Sequence, residues 1–437
     1  MSVESATVAH AAPQARDFST PYKIYVLVLL LAVYITNYAD RMILSVLMPA
    51  IKAEFAVSDA ALGFLAGTAF AIFYATLGVP IAIMADRGNR KMIITGAVAV
   101  WSVMTAVCGL APNYWLFALA RVGVGVGEAG GSPPSHAIIS DLFSPKARAT
   151  ALGIFALGVP FGLFVGLYGG AQVAAEYGWR TAFYVLGIPG LVLAALVFLT
   201  IQEPRRGASE GLAQAAKAPP LLATVRHMLA QRSLVHVFAG ATITTLVGYA
   251  AVQWWPTFMV RSHSLSMADM SLFLALVFGV AGGLGTFLGG YLADLFSKRD
   301  LKWMPRIVTI ATFIGLPFGI AIYLVDSSFL VFALIGIPAM AGAVYLPPTY
   351  AITQSLVEVR MRTVAAALLL FIINFIGMGL GPLIAGAISD YLQPQYGKDA
   401  LAYALLSLSF LNIWAAAHYW MAGRYYEQDL KRVTRAV

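Results

Sequence analysis

The sequence predicts an all-α polytopic membrane protein with twelve transmembrane helices in two pseudo-symmetric six-helix bundles. Three observations lead to this fold class: the composition, twelve long apolar runs and an internal repeat. Of the 437 residues, 60% are hydrophobic and only 11% are charged, whereas a soluble globular domain has roughly 25% charged residues. So few charged side chains would not cover a water-exposed surface of this size. The composition therefore argues against a soluble enzyme.

Each apolar run is long enough for a membrane helix, which needs about 20 apolar residues. The runs fall near residues 22–50, 60–84, 92–110, 114–141, 148–173, 180–201, 234–260, 268–294, 305–325, 329–355, 362–391 and 399–421. They are continuous, without the strict alternation of membrane β-strands. We therefore expect twelve helical spans, six on each side of a polar interval.

The basic residues predict how these spans are oriented. With both termini in the cytoplasm, 22 of the 28 lysines and arginines lie on the cytoplasmic side, as the positive-inside rule requires. We therefore expect a multi-pass protein of the inner cell membrane. The net charge of +8 follows from this asymmetry. No nucleic-acid partner is expected, because the basic residues do not cluster on one polar face.

The spans divide the chain into five segments. These are a disordered cytoplasmic tail (1–21), a first six-helix bundle (22–201), a cytoplasmic linker (202–233), a second six-helix bundle (234–421) and a second cytoplasmic tail (422–437). Within the linker, apolar residues recur at helical spacing and predict a short amphipathic helix on the membrane surface. Those residues are Leu221, Leu222, Val225, Met228 and Leu229.

An internal repeat relates the two bundles. At an offset of 214 residues, segment 132–152 aligns with 346–366, and the identical positions include a proline pair in each. Two homologous halves predict a substrate site between them near the bilayer midplane, reached by alternating access. The prolines also predict a kink in spans 4 and 10, because proline removes a helical hydrogen bond.

Three motifs resemble a known family. The loop ADRGNRK at 85–91 resembles the G-x-x-x-D-R-x-G-R-K loop of the major facilitator superfamily, with Ala82 and Asn89 in place of its two glycines. NYADR at 37–41 and RVGVGVGEA at 121–129, followed by DLF at 141–143, resemble the corresponding stretches of spinster-type transporters. The resemblance covers nearly the whole chain. It implies the major facilitator fold and a secondary transporter of lysophospholipids or sphingoid phosphates.

Four charged residues fall at mid-span, where charges are costly and usually functional. They are Asp40 and Arg41 in span 1 and Arg121 and Glu128 in span 4. Arg121 and Glu128 are two turns apart, about 10 Å along one helix face, and Asn37 shares a face with Arg41. We expect these two polar faces to converge.

The mid-span charges suggest proton coupling. Loss of water raises the pKa of a carboxyl group and a nearby arginine lowers it, so a carboxyl held between these effects can load and release protons. Our hypothesis is that Asp40 and Glu128 couple protons, while Arg41 and Arg121, with Asn37, tune them or bind an anionic substrate. The resemblance implies the same roles. The alternative is that Asp40–Arg41 and Arg121–Glu128 are internal ion pairs that only fix helix packing.

Charges at the cytoplasmic helix ends are candidates for a gate that locks the outward-open state through ion pairs and helix-end contacts. They are Asp86, Arg90, Asp141 and Arg148 in the first bundle, and Asp294, Lys298, Glu358 and Arg362 in the second. The alternative for any one of them is a solvated loop residue.

The second bundle offers aromatic and amide side chains as a further wall of the site. Candidate substrate-binding residues are Tyr249, Gln253, Trp254, Tyr345, Tyr350 and Asn374. One charged and one aromatic wall would suit an amphipathic solute with a polar or anionic head. The alternatives are a small organic anion or a drug as substrate, and a membrane-interface belt for the tryptophans at 254–255.

No catalytic residues, metal ligands or cofactor are expected. GVGEAG at 125–130 matches a nucleotide-binding pattern but lacks the strand that must precede it, so Gly123, Gly127 and Gly131 are interpreted as a stripe for close helix packing. A P-loop is also missing, which leaves a proton gradient as the energy source. The expected partners are the lipid bilayer, protons and an amphipathic substrate, with the protein a monomer. A membrane-embedded enzyme or a sensor remains the rival class.

Overall fold

The computed structural model describes residues 18–205 and 221–435, and the regular structure of these residues is helical. The expected disordered tail lies mostly outside the described residues. Spans 1–6, the first half, are Thr20–Phe55; Asp59–Gly63 with Phe64–Thr68 and Ala69–Arg87; Arg90–Leu110; Tyr114–Glu128 with Ser132–Leu142; Pro145–Ala156 with Gly158–Phe164, Val165–Gly169 and Gly170–Tyr177; and Trp179–Thr200.

Spans 7–12, the second half, follow a short linker helix, Leu221–Ala230. They are Arg232–His263; Met267–Leu276 with Val277–Ala281 and Gly282–Ser297; Trp303–Ala321; Ser328–Ala343 with Leu346–Ser355; Arg362–Ile372 with Ile373–Met378 and Gly379–Tyr396; and Ala400–Ser409 with Leu411–Arg435. Short 3₁₀ turns, Val359–Met361 and Gly397–Asp399, precede spans 11 and 12.

Length and composition alone mark ten helical stretches of the described residues as able to cross a membrane. The stretch Arg362–Val433 holds both span 11 and span 12, and span 4 is divided into two shorter helices, so the predicted twelve spans are all present. The predicted fold class is confirmed. Span 12 continues to Arg435, so the segment expected to be a tail is helical, with Asp429 buried and accepting hydrogen bonds from the main-chain N–H and the hydroxyl of Ser233.

The breaks in spans 4 and 10 come where the prolines predict them. Pro133 and Pro134 occupy the first turn of Ser132–Leu142, and Pro347 and Pro348 the first turn of Leu346–Ser355. Proline is tolerated there because its missing N–H would have had no helical partner. The two halves therefore share the same interruption, at the positions where the sequence predicts a kink.

Spans 2, 5, 8 and 11 each contain a π-helical turn, at Phe64–Thr68, Val165–Gly169, Val277–Ala281 and Ile373–Met378. The two halves meet along these four helices, span 2 against span 11 and span 5 against span 8. π-Helical turns are rare and recur at functional sites. Spans 2 and 8 are equivalent in the two halves, as are spans 5 and 11, so the internal repeat includes these π-helical turns.

The hydrophobic core joins the halves mainly at one end. We call the end with Thr20, Gly88 and the linker helix the linker face, and the end with Phe55, His263 and Tyr396 the distal face. A single buried cluster towards the distal face contains residues of both halves. Towards the linker face there are two clusters, one almost wholly from the first half and one from the second. In the described residues, apolar contact between the two halves is therefore more extensive towards the distal face.

Candidate functional site

The four mid-span charges of spans 1 and 4 meet in the interior of the first half. Asp40, Arg41, Arg121 and Glu128 are all buried, with Arg121 and Glu128 each only 1% exposed. Span 1 is a continuous helix through this region, and the glycines of span 4 allow it to approach its neighbours closely. A Cβ atom at Gly127 would lie 2.5 Å from the main-chain nitrogen of Trp101 in span 3. The predicted convergence of the two polar faces and the predicted packing role of the glycines are confirmed.

The ion pairs cross between the spans. Arg41 Nε donates to Glu128 Oε2 at 2.6 Å, and Arg121 Nη1 lies 3.4 Å from Asp40 Oδ1. The alternative pairing, Asp40 with Arg41 and Arg121 with Glu128, is wrong. Neighbouring residues on a helix point about 100° apart and residues two turns apart are too distant, so each charge finds its partner on the other helix. Thr105 of span 3 also donates its hydroxyl hydrogen to Asp40 Oδ2.

Aromatic rings surround the two guanidinium groups. Arg41 lies over the rings of Tyr74, Tyr38 and Phe70, at 4.4, 5.1 and 5.1 Å from their centroids. Phe70 of span 2 is also 5.8 Å from the guanidinium of Arg121. Cation–π contacts of this kind are strongest where water is excluded. Phe70 therefore contacts both arginines and helps to hold each one against its own carboxylate.

Several buried polar atoms of this centre make no hydrogen bond to other described protein groups. They are Asn37 Oδ1, Arg121 Nε and Glu128 Oε1, and in the second half the buried Gln253 Oε1 likewise has no such bond. Buried polar atoms are nearly always hydrogen-bonded in native proteins. These four atoms can therefore accept or donate further bonds without breaking the existing ones.

The second-half candidates divide into those near the charged centre and those that pack elsewhere. Tyr249 packs against the buried cluster of the first half and lies within electrostatic range of Arg41 and Tyr38. Tyr350 lies near Tyr345. The hydroxyl group of Tyr345 is hydrogen-bonded to Thr245 Oγ1 at 2.9 Å. These phenols therefore lie opposite the charged residues of the first half.

Trp254 has a different environment. It is fully buried, and its indole N–H donates to Pro382 O at 2.9 Å. Trp255 is also buried and bonds to Tyr323 Oη at 2.7 Å, so these two tryptophans are not a membrane-interface belt. Asn374 lies half-buried in the π-helical turn of span 11.

At the linker face, the first-half candidates form a brace within that half. Arg90 is 3% exposed and binds Asp141 Oδ2 at 2.5 Å, Glu203 Oε1 at 2.6 Å and the carbonyl of Pro204 at 2.8 Å. It thus ties spans 3, 4 and 6 together. Arg148 is half-buried at the start of span 5, and the side chain of Asp86 lies outside the described residues.

The second-half candidates at this face are more loosely held. Glu358 pairs with Arg360 at 2.6 Å, and Arg362 Nε donates to the carbonyl of Gln354 at 3.2 Å. Asp294 and Lys298 are exposed at the end of span 8. The structure therefore brings Arg90 and Asp141 together but pairs Glu358 with Arg360 and not with Arg362.

Sequence reasoning missed Thr105, Phe70, Tyr74 and Glu203. Thr105 and Phe70 lie in apolar runs, where a hydroxyl or a ring has no signal of its own. Glu203 could have been found, because it is an acidic residue directly after span 6 near the basic loop between spans 2 and 3. Among the described residues, no cluster of three or more His, Cys, Asp or Glu is arranged to hold a metal ion.

Comparisons with known proteins agree on the family. The model of the Major Facilitator Superfamily matches residues 30–382. The chain is 33% identical to an MFS-type efflux pump of Mycolicibacterium smegmatis over 90% of its length and 91% of the relative. It is 28% identical to the human protein spinster homolog 1, over 91% of this chain and 80% of the relative.

Solved structures give the same result. A bacterial homolog of the human lysosomal transporter Spinster, inward-facing and unoccupied, superimposes with a TM-score of 0.84 at 30% identity, covering 94% of this chain and 99% of that one. Its inward-facing, occupied form matches with the same TM-score at 31% identity and the same coverage. The resemblance in the sequence motifs is thereby confirmed. The chain belongs to the Major Facilitator Superfamily, in which it is a spinster-type transporter.

Proposed function

We propose that the chain is a proton-coupled secondary transporter that works by alternating access and moves an amphipathic, lipid-like substrate. The observation that carries the proposal is the crossed pair of buried ion pairs, Asp40–Arg121 and Arg41–Glu128. Two carboxylates and two arginines buried in a membrane bundle are costly and are rarely kept without a function. The expected substrate has a polar or anionic head and an apolar tail, as lysophospholipids and sphingoid phosphates do.

The crossed pairs suggest how substrate and proton are coupled. An anionic head that binds the guanidinium of Arg41 competes with Glu128 for it. A buried carboxylate that loses its cation is neutralised by a proton instead of remaining charged in a dry site. Asp40, with Arg121 and Thr105, forms a second such unit. Asn37 and the second-half residues Tyr249, Gln253, Tyr345, Tyr350 and Asn374 would contact the substrate.

The energy source is the proton gradient, and no cofactor or metal takes part. The protein acts as a monomer in the inner cell membrane with the linker face and both termini in the cytoplasm. The candidate gate residues Asp86, Arg90, Asp141 and Arg148, with Asp294, Lys298, Glu358 and Arg362, would then meet at the cytoplasmic side when the site opens outward.

The second candidate is export of small organic anions or drugs. The observation that favours it is the similarity to a protein described as an MFS-type efflux pump. Both candidates use the same charged centre but differ in what the second half must contact, an apolar tail or a compact ring system.

Reconstituted vesicles with an imposed pH gradient test both candidates. A lysophospholipid, a sphingoid phosphate, a small organic anion and a cationic drug are each offered, with an uncoupler as control. We expect gradient-dependent movement of the lysolipids, recovered chemically intact. Movement of the organic anion or drug alone would favour the second candidate. Uncoupler-resistant movement, or chemical conversion of a substrate, would overturn the proposal.

A further inference from the structure

Bonds between the halves concentrate on one carboxylate at the distal face. Asp59, the first residue of span 2, is 1% exposed. Its oxygens accept two bonds from Arg261 of span 7, at 2.6 and 2.7 Å, and one from the Ser389 hydroxyl of span 11, at 2.7 Å. The two-pronged guanidinium contact is the strong geometry for an arginine–carboxylate pair. Three bonds from the second half thus end on one first-half side chain.

The main chain around Asp59 is bound from the same side. The carboxylate of Asp390 in span 11 accepts from the main-chain N–H groups of Asp59 and Ala60, at 2.8 and 2.7 Å. These N–H groups begin a helix and have no helical partner, so an acidic side chain stabilises them. A residue of the second half therefore caps a helix of the first.

Next to this cluster, glycines allow the main chains of spans 2 and 11 to come into direct contact. A Cβ atom at Gly63 would overlap the carbonyl of Pro382, and one at Gly386 would overlap the carbonyl of Asp59. Further along the same seam, the Thr68 hydroxyl donates to the carbonyl of Gly379 at 2.7 Å. The seam between spans 2 and 11 is thus closed by direct backbone contact, and Asp59 lies at its distal end.

We propose that Asp59 is the latch that holds the two halves together at the distal face, and that Arg261 is the partner released when that face opens. The proposal deepens the proposed alternating access, since it names the bonds that must break in one of its two states. Arg261→Gln removes both charged bonds that Arg261 makes to Asp59 across the halves and leaves Asp59 bound to Lys52 within the first half. Asp59→Asn takes the negative charge away from between Arg261 and Lys52. Either change weakens the closed arrangement, because hydrogen bonds between charged groups are the strong ones.

Lys52 gives the latch a distinctive signature. Its Nζ binds Asp59 Oδ1 at 2.5 Å, but it lies on span 1, in the same half as Asp59. On opening, Lys52 moves with Asp59 while Arg261 and Ser389 move away. Lys52 also repels Arg261, because both cations approach the same oxygen. Loss of Lys52 therefore leaves the latch closed, although it removes a bond to the same carboxylate.

Distances between spin labels test the latch without substrate or proton gradient. In a Cys108→Ala background, one label pair is placed at the distal ends of the two halves through Glu176→Cys and Lys398→Cys. A second pair at the linker face uses Lys146→Cys and Arg299→Cys. All four labelled positions are exposed. Opening at the distal face lengthens the first distance and shortens the second.

We expect Asp59→Asn and Arg261→Gln to raise the open-to-closed ratio about tenfold or more, because each removes charged hydrogen bonds between the halves, and Ser389→Ala to raise it less. Lys52→Gln should leave the ratio at or below that of the wild type. Glu54→Gln is the matched control, because Glu54 binds Trp179 and Arg180 within the first half at the same face. Its ratio should not change.

Two results would overturn the latch. One is wild-type distances in both Asp59→Asn and Arg261→Gln; the other is opening by Lys52→Gln as large as that by Arg261→Gln. Arg261 is partly exposed and on the other half, so its variant keeps the test available if Asp59→Asn does not fold. If the distances shift in these variants but the wild type moves no substrate in the vesicle assay, the latch stands and the proposed function is wrong. If the distances do not shift but the wild type shows proton-driven transport, the proposed function stands and the latch is wrong.

Discussion

The two halves share a backbone plan but differ in the chemistry they place at the centre. In the first half, two carboxylates and two arginines are buried and paired between spans 1 and 4. In the described part of the second half, the buried charged side chain is Asp429, far away at the linker face. The central positions of spans 7 and 10 hold tyrosine, threonine and glutamine instead. The two halves therefore share a fold but not a distribution of buried charge. If the protein couples protons, the carboxyl groups of the first half would be sufficient.

The halves also differ at the linker face. Arg90 in the first half holds two carboxylates and a carbonyl in place, whereas Arg362 in the second reaches only the carbonyl of Gln354 among its described contacts. The first half is thus bound together by charge at its centre and at its end. We expect charge-removing changes to destabilise the first half much more than the second.

The largest effect is expected from Arg41→Gln. It breaks the buried Arg41–Glu128 ion pair, which costs about 3–5 kcal/mol at a pH where Glu128 has not taken up a proton, so the apparent Tm in detergent should fall steeply. Glu128→Gln added to Arg41→Gln should recover part of the loss, because the unpaired charge is removed. Additive losses in the double variant would show that the two residues do not act as a pair.

A smaller loss is expected from Arg90→Gln, about 1.5–3 kcal/mol for charged hydrogen bonds in a partly buried site. Arg362→Gln is the matched change in the second half and should stay within about 0.5 kcal/mol. Thermal unfolding of the two variants measures the difference. Equal losses would contradict the asymmetry between the halves at the linker face.

Phe70→Leu should cost about 1–2 kcal/mol, since the ring contacts both guanidinium groups in a water-poor site. Phe70→Tyr keeps the ring and is the control. We expect the leucine variant to lower both thermal stability and gradient-driven uptake, and the tyrosine variant to retain them. If leucine matched the wild type in both assays, the ring would be packing only.

The smallest effect on stability is expected in the second half. Tyr345→Phe removes one hydrogen bond to Thr245, worth about 1 kcal/mol. If this wall only contacts the substrate, the KM for uptake should rise while proton flux per substrate stays unchanged. An altered proton-to-substrate ratio would place part of the coupling in the second half.

The sequence predicted the elements well and the pairings poorly. Span positions, the proline breaks and the burial of Asp40, Arg41, Arg121 and Glu128 follow from hydropathy, backbone chemistry and the cost of charge in a membrane. The ion-pair partners do not follow, because spacing along one helix says nothing about what the facing helix presents. For that reason the alternative of same-helix ion pairs, Asp40 with Arg41 and Arg121 with Glu128, was wrong.

The distal latch was missed for a related reason. Asp59 and Arg261 stand at the ends of their spans, where charged residues usually contact water or lipid head groups. Their two positions are 202 residues apart in the sequence, and only the packing of span 2 against span 11 and of span 1 against span 7 brings them together. A polar residue at a helix end is informative only once its neighbours in space are known.

The central claim is that the first-half carboxylates carry the protons. Measuring the proton flux that accompanies substrate movement tests this claim most directly. Vesicles containing a trapped pH dye would hold the wild type, Asp40→Asn, Glu128→Gln or the control Asp429→Asn, whose carboxylate is equally buried in the other half. We predict that a lysophospholipid moves protons in the wild type and the control, and that each first-half variant loses this flux while remaining folded. Wild-type proton flux in both folded first-half variants would contradict the account.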